Sequence, residues 1–334
     1  MSSKNIRLAF AEHQKLFRFF SKSPAQWDSQ HGIVEYKWWR KERAVLYWHI
    51  NFIIVIGVIY HSAFAYFVYQ QLFRSLQGGQ LFKIVVRCLL GVLTWYGSVM
   101  HAMTTLYGGA AAVGLNEMQR IEEALKKWNE ENGIRRLEAS RPTKSFDLEK
   151  ITLIGIVRLF WVYFFLVVAS NLFLGVDSLH TFLTDIATFL RLSFPAVVVL
   201  SALRAVIVII NVFEICSLFS FVILLFLSWL KIMDTILSIL LDQSRRIFLS
   251  PKNNLGKIMY LVNTHIHLQL AYQAVARYQE LGTIALMFVG LVVFISSNFA
   301  TLRFYKFLPF VMFQYVDRVI CTYLCRFQPE MVFY

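Results

Sequence analysis

The sequence predicts an all-α fold: a polytopic transmembrane helical bundle of about six spans, with a cytoplasmic amino terminus and long cytoplasmic helical extensions. One observation is that six long stretches of the chain are apolar, since roughly 20 apolar residues are needed to cross the hydrocarbon core of a membrane. The other is that basic residues collect in alternate gaps between these stretches, and such gaps face the cytoplasm by the positive-inside rule. The predicted spans are Ala44 to Gln70, Phe82 to Gly114, Ile151 to Val176, Pro195 to Leu230, Leu281 to Leu302 and, with a weaker apolar signal, Tyr305 to Cys325.

Composition and charge agree with a membrane protein. Hydrophobic residues make up 57% of the chain and the mean hydropathy is +0.55, both above the values typical of a soluble domain. The formal charge is +13, because nine Lys and Arg residues precede the first span, eight lie in 116–150 and six lie in 231–280. These residues sort by membrane side rather than cluster on one element, so we expect membrane lipids as their partner and no nucleic acid.

The amino-terminal segment, 1–43, is predicted to carry a short amphipathic helix in the cytoplasmic interface. Apolar and basic residues alternate from Ile6 to Phe20, as in helices that lie flat on a membrane surface, and Pro24 ends the pattern. Five aromatic residues follow near the beginning of the first span, and we interpret them as anchors because such rings favour the headgroup level. They are Tyr36, Trp38, Trp39, Tyr47 and Trp48.

The second helix is expected to continue beyond the membrane. Spans one and two occupy 44–114, and 115–150 is a cytoplasmic loop in which helical spacing persists from Leu115 to Trp128. Gly133 is a plausible end for this helix, and the next helix is expected to begin near Ser145.

The fourth helix is expected to be longer than the membrane is thick. Spans three and four occupy 151–230, and the 36 residues from Pro195 to Leu230 would make a helix of roughly 54 Å. The helix should continue into 231–280, which then returns as a second helix to spans five and six in 281–325, before a tail at 326–334. Both extensions carry an apolar stripe that must be buried against the other extension, the extension of the second span or another subunit. Its members are Met233, Ile236, Leu237, Leu240, Leu241, Leu261, Leu268 and Tyr272.

No catalytic, metal-binding or cofactor motif stands out in the sequence. We therefore predict no catalytic residues, no metal site and no cofactor. His265 and His267 are two residues apart, which places them on different faces of a helix. His101, inside the second span, is the one feature that suggests a polytopic membrane enzyme, such as an acyltransferase with its histidine in an apolar tunnel, but no series of polar partners accompanies it.

Charged residues and strongly polar ones are costly inside predicted spans. Arg87 and Arg158 are near span ends and are expected to snorkel to the surface. The intramembrane polar residues Arg204, Asn211 and Glu214 should face the bundle interior. Because Arg204 and Glu214 are ten residues apart, or roughly 15 Å along a helix, each is expected to find its partner on another helix.

A ligand pocket is predicted in the outer half of the membrane. Arg204 is expected there, together with the loop from Asp185 to Ser193, and an aromatic-lined cavity with a few polar groups is what a small-ligand site requires. Helix packing explains the same residues equally well. The predicted ligand-binding residues are Trp95, Tyr96, Asn171 and Arg204.

This organisation resembles the insect-type (arthropod) chemoreceptor superfamily of gustatory and odorant receptors. The shared features are the cytoplasmic amino terminus with its amphipathic helix, the Trp- and Tyr-rich beginning of the first span, the basic loop after the second span, the overlong fourth helix and the long return at 231–280. The superfamily's signature is a Thr-Tyr followed five residues later by Gln-Phe in a seventh span. Here Thr322-Tyr323 is followed by a segment with another spacing and order, Leu324 to Gln328, and we do not count it.

The resemblance implies a gustatory-like receptor of the plasma membrane that recognises a small organic molecule. In complete form, with seven spans, it would be a ligand-gated cation channel that assembles as a homo- or hetero-tetramer. No seventh span follows Cys325, so we expect a truncated or divergent member, and a non-conducting accessory membrane subunit is an alternative. Asp317-Arg318-Val319 is similar to a motif of G-protein-coupled receptors, but it lies in the last span and the predicted orientation is the opposite one, which disfavours that class.

Overall fold

A computed structural model describes residues 2–17, 23–73, 81–131, 148–249 and 255–304. The predicted sixth span, Tyr305 to Cys325, and the tail at 326–334 lie outside these residues. The described elements are α1 (Ser2–Leu16), β1 (Ala25–Asp28), β2 (Ile33–Tyr36), α2 (Arg43–Phe52), a π-helical segment (Ile53–Tyr60), α3 (His61–Phe73), α4 (Leu81–Glu131), α5 (Leu148–Leu174), α6 (Ser178–Phe189), α7 (Phe194–Leu249) and α8 (Leu255–Phe304).

The described part of the chain has five helical segments that are long and apolar enough to cross a membrane. They correspond to the first five predicted spans, and the predominantly helical fold is confirmed. The segments are Arg43–Phe73, Lys83–Glu131, Lys150–Phe189, Phe194–Ile247 and Leu255–Ser296.

The expected overlong helices are present. α7 has 56 residues and α4 has 51, so α7 is roughly 84 Å long at 1.5 Å per residue. α7 contains no glycine, and its only proline is at the second position, where a missing N–H costs nothing. The prediction of one uninterrupted fourth helix is therefore correct.

The predicted apolar stripe of 231–280 is only partly buried: Ile236 and Leu268 are buried, whereas Leu237, Leu241 and Tyr272 are exposed. α8 runs along α4, whereas α7 packs mainly against α4 and α5. A Cβ on Gly114 would come within 2.7 Å of the Ala271 carbonyl oxygen, so the glycine permits the close approach of α4 and α8. Near the far end of α4, the Trp128 and Tyr260 rings stack with their centroids 5.1 Å apart.

The amino-terminal helix differs from the prediction. α1 ends at Leu16, and its apolar face, with Ile6, Ala9 and Phe10, is buried against α5 and α7. Phe10 stacks on Trp27 at 4.8 Å and meets the edge of Phe221 at 5.7 Å. The apolar face is therefore covered by other helices of the same chain.

A β-hairpin, which the sequence analysis missed, follows α1. β1 and β2 pair antiparallel, with Trp27 opposite Val34, and Gly32 takes the positive φ of +66° that the turn needs. The Asn116 side chain on α4 donates to the Val34 carbonyl (2.9 Å) and accepts from the Val34 N–H (3.0 Å). The Asn116 side chain thereby satisfies both backbone hydrogen-bonding groups of Val34 at the strand edge and fixes the hairpin to α4. We call this end of the bundle, with α1 and the hairpin, the hairpin end.

The opposite end of the bundle, here the α6 end, also departs from the prediction. The segment from Asp185 to Ser193 was expected to be a loop, but residues up to Phe189 belong to α6. The Asp177 side chain caps this helix by accepting from the His180 N–H, which explains why a helix begins in a short gap between two spans.

Candidate functional site

A cavity of about 300 Å³ opens between the π-helical segment, α4, α5 and α7 at the α6 end. We call it the α6-end cavity. Its walls are mostly apolar, and a few polar side chains converge on it, which is the usual character of a small-molecule site. The polar and aromatic residues of the lining include Tyr60, His61, Trp95, Asn171, Asp177 and Asn211.

The π-helical segment places two of these side chains. Ile53–Tyr60 is wound more widely than an α-helix, and π-helical turns are frequent at functional sites. Tyr60 and His61 stand at its end and line the cavity. The His61 ring donates from Nδ1 to the Ile56 carbonyl oxygen at 2.6 Å, so the side chain satisfies a backbone group within the altered turn.

An ion pair closes the α6 end of the cavity. Arg204 Nη2 lies 2.7 Å from Asp177 Oδ2 and 2.6 Å from the Asn171 carbonyl oxygen. The side chains of Arg204 and Asp177 are only 11% and 2% exposed. Asp177 and Ser178 line the cavity. The ion pair between Arg204 and Asp177 therefore fixes the segment between α5 and α6 at the wall of the cavity. Arg204 thus finds its partner on another element, as expected.

A second arginine ties down the same segment. Arg87 Nη2 donates to the Gly175 carbonyl oxygen at 3.2 Å, and its guanidinium lies 5.5 Å from the centroid of the Phe67 ring. Gly175 has φ +58°, and a Cβ there would come within 2.7 Å of the His180 ring. Arg87 is buried, so the prediction that it snorkels to the surface was wrong. Arg158 is mostly exposed and pairs with Glu12 at 3.1 Å.

Three residues that line the cavity carry buried oxygens without a hydrogen-bond partner in the described structure. They are Asn171 Oδ1, the Tyr60 hydroxyl and the Asn211 amide oxygen. An unsatisfied buried acceptor costs about 1–3 kcal/mol, and a ligand that donates a hydrogen bond would remove that cost.

The structure brings together some of the predicted ligand-binding residues and separates others. Trp95 and Asn171 line the α6-end cavity, as does the intramembrane Asn211. Arg204 lines a shallower, more polar cavity of about 430 Å³ between α6 and α7 and contacts the first site through Asp177. Tyr96 points elsewhere, since it packs on Phe219 with ring centroids 4.4 Å apart and lines a third cavity.

The third intramembrane polar residue, Glu214, belongs to a separate buried cluster. Its carboxylate accepts from Trp48 Nε1 at 2.8 Å, which confirms the expected partner on another helix. Trp48 is 1% exposed, so its interpretation as a headgroup anchor was wrong, whereas Trp38, Trp39 and Tyr47 are exposed.

His101 lies in the same cluster as Trp48. Its Nε2 is 3.0 Å from His49 Nδ1, and its ring stacks on Phe52 at 4.2 Å. The residue lines none of the three cavities described here. A histidine with such neighbours is typical of a packed core.

The sequence analysis missed Tyr60, His61 and Asp177. For Asp177 a signal exists: it is an acidic residue in a gap poor in basic residues, 27 positions before an intramembrane arginine. An isolated arginine in a span needs a counter-charge, and Asp177 is a candidate near the expected depth. No sequence signal marks the π-helical turn that positions Tyr60 and His61.

Within the described ranges, no group of three or more His, Cys, Asp or Glu residues is arranged to hold a metal ion. Comparison of the chain with profiles of known protein families, with curated protein sequences and with solved structures finds no match.

Proposed function

We propose that this chain is a chemosensory receptor of the plasma membrane, similar to the gustatory branch of the insect-type chemoreceptors. The α6-end cavity would bind a small organic molecule. In complete form the protein would gate a cation pore as a homo- or hetero-tetramer. The observation that carries the proposal is the convergence of Trp95, Asn171 and Asn211 on one apolar cavity that holds an unpaired amide oxygen.

The cavity favours an uncharged ligand with a hydrogen-bond donor. The one charged residue in its lining, Asp177, is already neutralised by Arg204 at 2.7 Å. A charged ligand would therefore enter a largely apolar site without a free counter-charge, which is costly. Asn171 Oδ1 accepts no bond in the described structure, so a hydroxyl or amide N–H of the ligand would satisfy it. A volume of about 300 Å³ lies at the small end of the range for ligand sites.

Assembly is supported by apolar residues that the described part of the chain leaves exposed. On the α7 extension Leu237 and Leu241 are 46% and 61% exposed. Neighbouring Ile232, Ile236 and Ile239 are buried within the described chain, so the extension has a covered face and an uncovered one. An uncovered face of this kind on the part of a helix beyond the apolar span favours a contact between subunits.

The proposal is tested by binding to the purified full chain in detergent. A panel of uncharged hydroxyl- and amide-bearing molecules of six to twelve heavy atoms is screened for increased thermal stability, because a ligand that binds only the folded state stabilises it. For each hit, Asn171→Leu and Trp95→Ala should weaken binding at least tenfold. Tyr163→Phe, which changes a different wall of the cavity without removing bulk, serves as the matched control.

A second measurement connects binding with signalling. The chain is expressed in cells with a calcium indicator, and hits from the panel are applied from outside. Responses that depend on Asn171 at unchanged surface expression support the receptor. If no panel member binds, or if hits bind equally to Asn171→Leu and Trp95→Ala, the α6-end cavity is a packing defect and the receptor proposal loses its site.

A further inference from the structure

A second cavity of about 470 Å³ lies between α4, α7 and α8, on the hairpin side of Tyr96. We call it the hairpin-end cavity. Ala25 and Val34 of the hairpin form part of its lining, and Ala111 and Ala112 leave room along α4. Its volume falls within the roughly 300–1,000 Å³ of small-molecule sites. It shares no lining residue with the α6-end cavity.

Two unpaired polar atoms belong to residues of this lining. Trp229 is 8% exposed, and neither its Nε1 nor the Gln279 Oε1 has a hydrogen-bond partner in the described structure. By contrast, the Thr104 and Tyr278 hydroxyls, also in the lining, lie 3.5 Å from each other. An indole N–H can only donate and an amide oxygen can only accept. A hydroxyl group can accept from the first or donate to the second.

The composition of the lining favours an uncharged occupant. Among the described residues that line it, none is charged. A carboxylate, phosphate or ammonium group would therefore be buried without a counter-charge, which costs far more than an unpaired neutral group. Part of the rim, Leu286 and Met287 on α8, is apolar and 44% and 70% exposed. In a helix able to cross a membrane, such side chains suit contact with acyl chains.

We propose that the hairpin-end cavity binds an uncharged, hydroxyl-bearing hydrophobic molecule, with the hydroxyl accepting from Trp229 Nε1 or donating to Gln279 Oε1. A membrane sterol or a free aliphatic alcohol has this chemistry. The hairpin, which contributes Ala25 and Val34 to the wall, would contact the occupant directly. The site is independent of ligand binding at the α6 end.

The test uses the full-length protein in phosphatidylcholine vesicles and two photoactivatable probes with the same sixteen-carbon chain. One is a diazirine-bearing hexadecanol and the other the corresponding hexadecanoic acid. Labelling by the alcohol should be saturable, should map to peptides covering 104–115, 222–229 or 275–287, and should exceed labelling by the acid at least tenfold at pH 8. Equal labelling by the acid would overturn the proposal, and so would label confined to other helices.

Variants separate the polar contacts from general lipid exposure. Trp229→Phe keeps the ring and loses the N–H, and Gln279→Met keeps the length and loses the oxygen. The variant that removes the hydroxyl's partner should lower labelling roughly three- to tenfold, the range expected for loss of one hydrogen bond, and Ala112→Phe should abolish it by filling the space. Trp161→Phe and Gln269→Met, which lie outside the cavity, should label as the wild type. Unchanged labelling of Trp229→Phe and Gln279→Met contradicts the proposal, whatever the stability of Ala112→Phe.

Competition identifies the source of the occupant. An unlabelled sterol in the vesicles that displaces the alcohol probe indicates a membrane lipid, whereas displacement by hexanol added from water, with no effect of the sterol, indicates a soluble alcohol. Both outcomes support the hydroxyl chemistry. Failure of every hydroxyl compound to compete means that the label reports passive contact with lipid and that the cavity has no specific occupant.

Discussion

Arg204 Nη2 and Asp177 Oδ2 are 2.7 Å apart, and the pair connects α7 with the residue that caps α6. The same Nη2 also donates to the Asn171 carbonyl oxygen. One buried contact therefore fixes three elements around the α6-end cavity: the end of α5, the beginning of α6 and the first part of α7. The position of Asn171, with its unpaired Oδ1, depends on it.

Removal of one partner of this pair should destabilise the protein strongly. Asp177→Ala leaves the largely buried Arg204 without a counter-charge, which costs about 3–5 kcal/mol, and it also removes the α6 cap. Asp177→Asn keeps a capping oxygen and isolates the charge effect. Both should lower the midpoint of thermal unfolding in detergent, with Asp177→Ala the lower of the two.

The control for that measurement is the pair between Glu12 and Arg158. Arg158 is 67% exposed, and exposed pairs contribute about 0–1 kcal/mol. Glu12→Ala should therefore leave the unfolding midpoint nearly unchanged. A midpoint for Asp177→Asn as high as that of Glu12→Ala would mean that Arg204 reaches solvent and that the pair does not hold the segment over the cavity.

A second prediction concerns the docking of α1 and its dependence on pH. Burial against the Phe17 and Phe221 rings lowers the pKa of His13 from 6.5 to about 4, and His13 Nε2 lies 3.1 Å from the Ser217 carbonyl oxygen. The docked state therefore binds fewer protons than the undocked state between pH 6.5 and pH 4. Stability of docking is fully present above pH 6.5 and is lost as the pH falls towards 4.

Hydrogen exchange of α1 amides measures this effect. Protection of residues 5–16 should decrease between pH 6.5 and pH 4 after correction for the intrinsic exchange rate. His13→Phe, which cannot titrate, should have a flat profile over the same range. An identical decrease in His13→Phe would assign the pH dependence to groups other than His13.

Sequence patterns determine the long helices of this protein well and its local contacts poorly. The 3.6-residue spacing and the absence of glycine predict the whole of α7, because a long helix forms where many successive residues all favour helical structure. The burial of Trp48 could not be predicted in this way. An aromatic residue near the beginning of a span has the same local sequence whether its indole meets headgroups or donates to Glu214, 166 positions away.

The residues of the candidate site were likewise predicted only in part. Trp95 and Asn171 were found because polar or amphipathic residues in a span are unusual, and they do share a cavity. Tyr96 was placed with Trp95 because the two are adjacent, but neighbours on a helix point about 100° apart, and Tyr96 lines the other cavity. The hairpin was missed because it has only four residues in each strand and depends on Asn116 of α4, which no local pattern reveals.

A third prediction concerns orientation. α4 separates the connections at 74–80 and 132–147, so these must lie on opposite sides of the membrane if α4 spans it. By the positive-inside rule, we expect the second connection, with its basic residues, on the cytoplasmic side. A glycosylation acceptor introduced at Gly79 should therefore be modified, whereas acceptors at Ala139 and at Gln30 in the hairpin turn should not. Modification at Ala139 and not at Gly79 would reverse the topology and place the α6-end cavity on the cytoplasmic side.

The last prediction concerns assembly. From the sequence alone, Leu237 and Leu240 belong to one apolar stripe and would be expected to act alike. The structure distinguishes them: Leu240 packs against the buried core of its own chain, whereas Leu237 and Leu241 are 46% and 61% exposed. An apolar side chain left in water forgoes about 1.5 kcal/mol or more, which contact with a second subunit would recover.

The double variant Leu237→Asp, Leu241→Asp should consequently abolish oligomers in cross-linking and in size measurement, and leave the thermal unfolding of the single chain nearly unchanged. Leu240→Asp should lower the unfolding midpoint instead, because it places a charge among core residues. Ser238→Asp, which adds the same charge between Leu237 and Leu241 without removing an apolar group, should still assemble. If the double variant assembles like the wild type, or if the wild type is a monomer in bilayers, the uncovered face of α7 is not a subunit contact and the tetramer should be abandoned, while the ligand site at the α6 end would be unaffected.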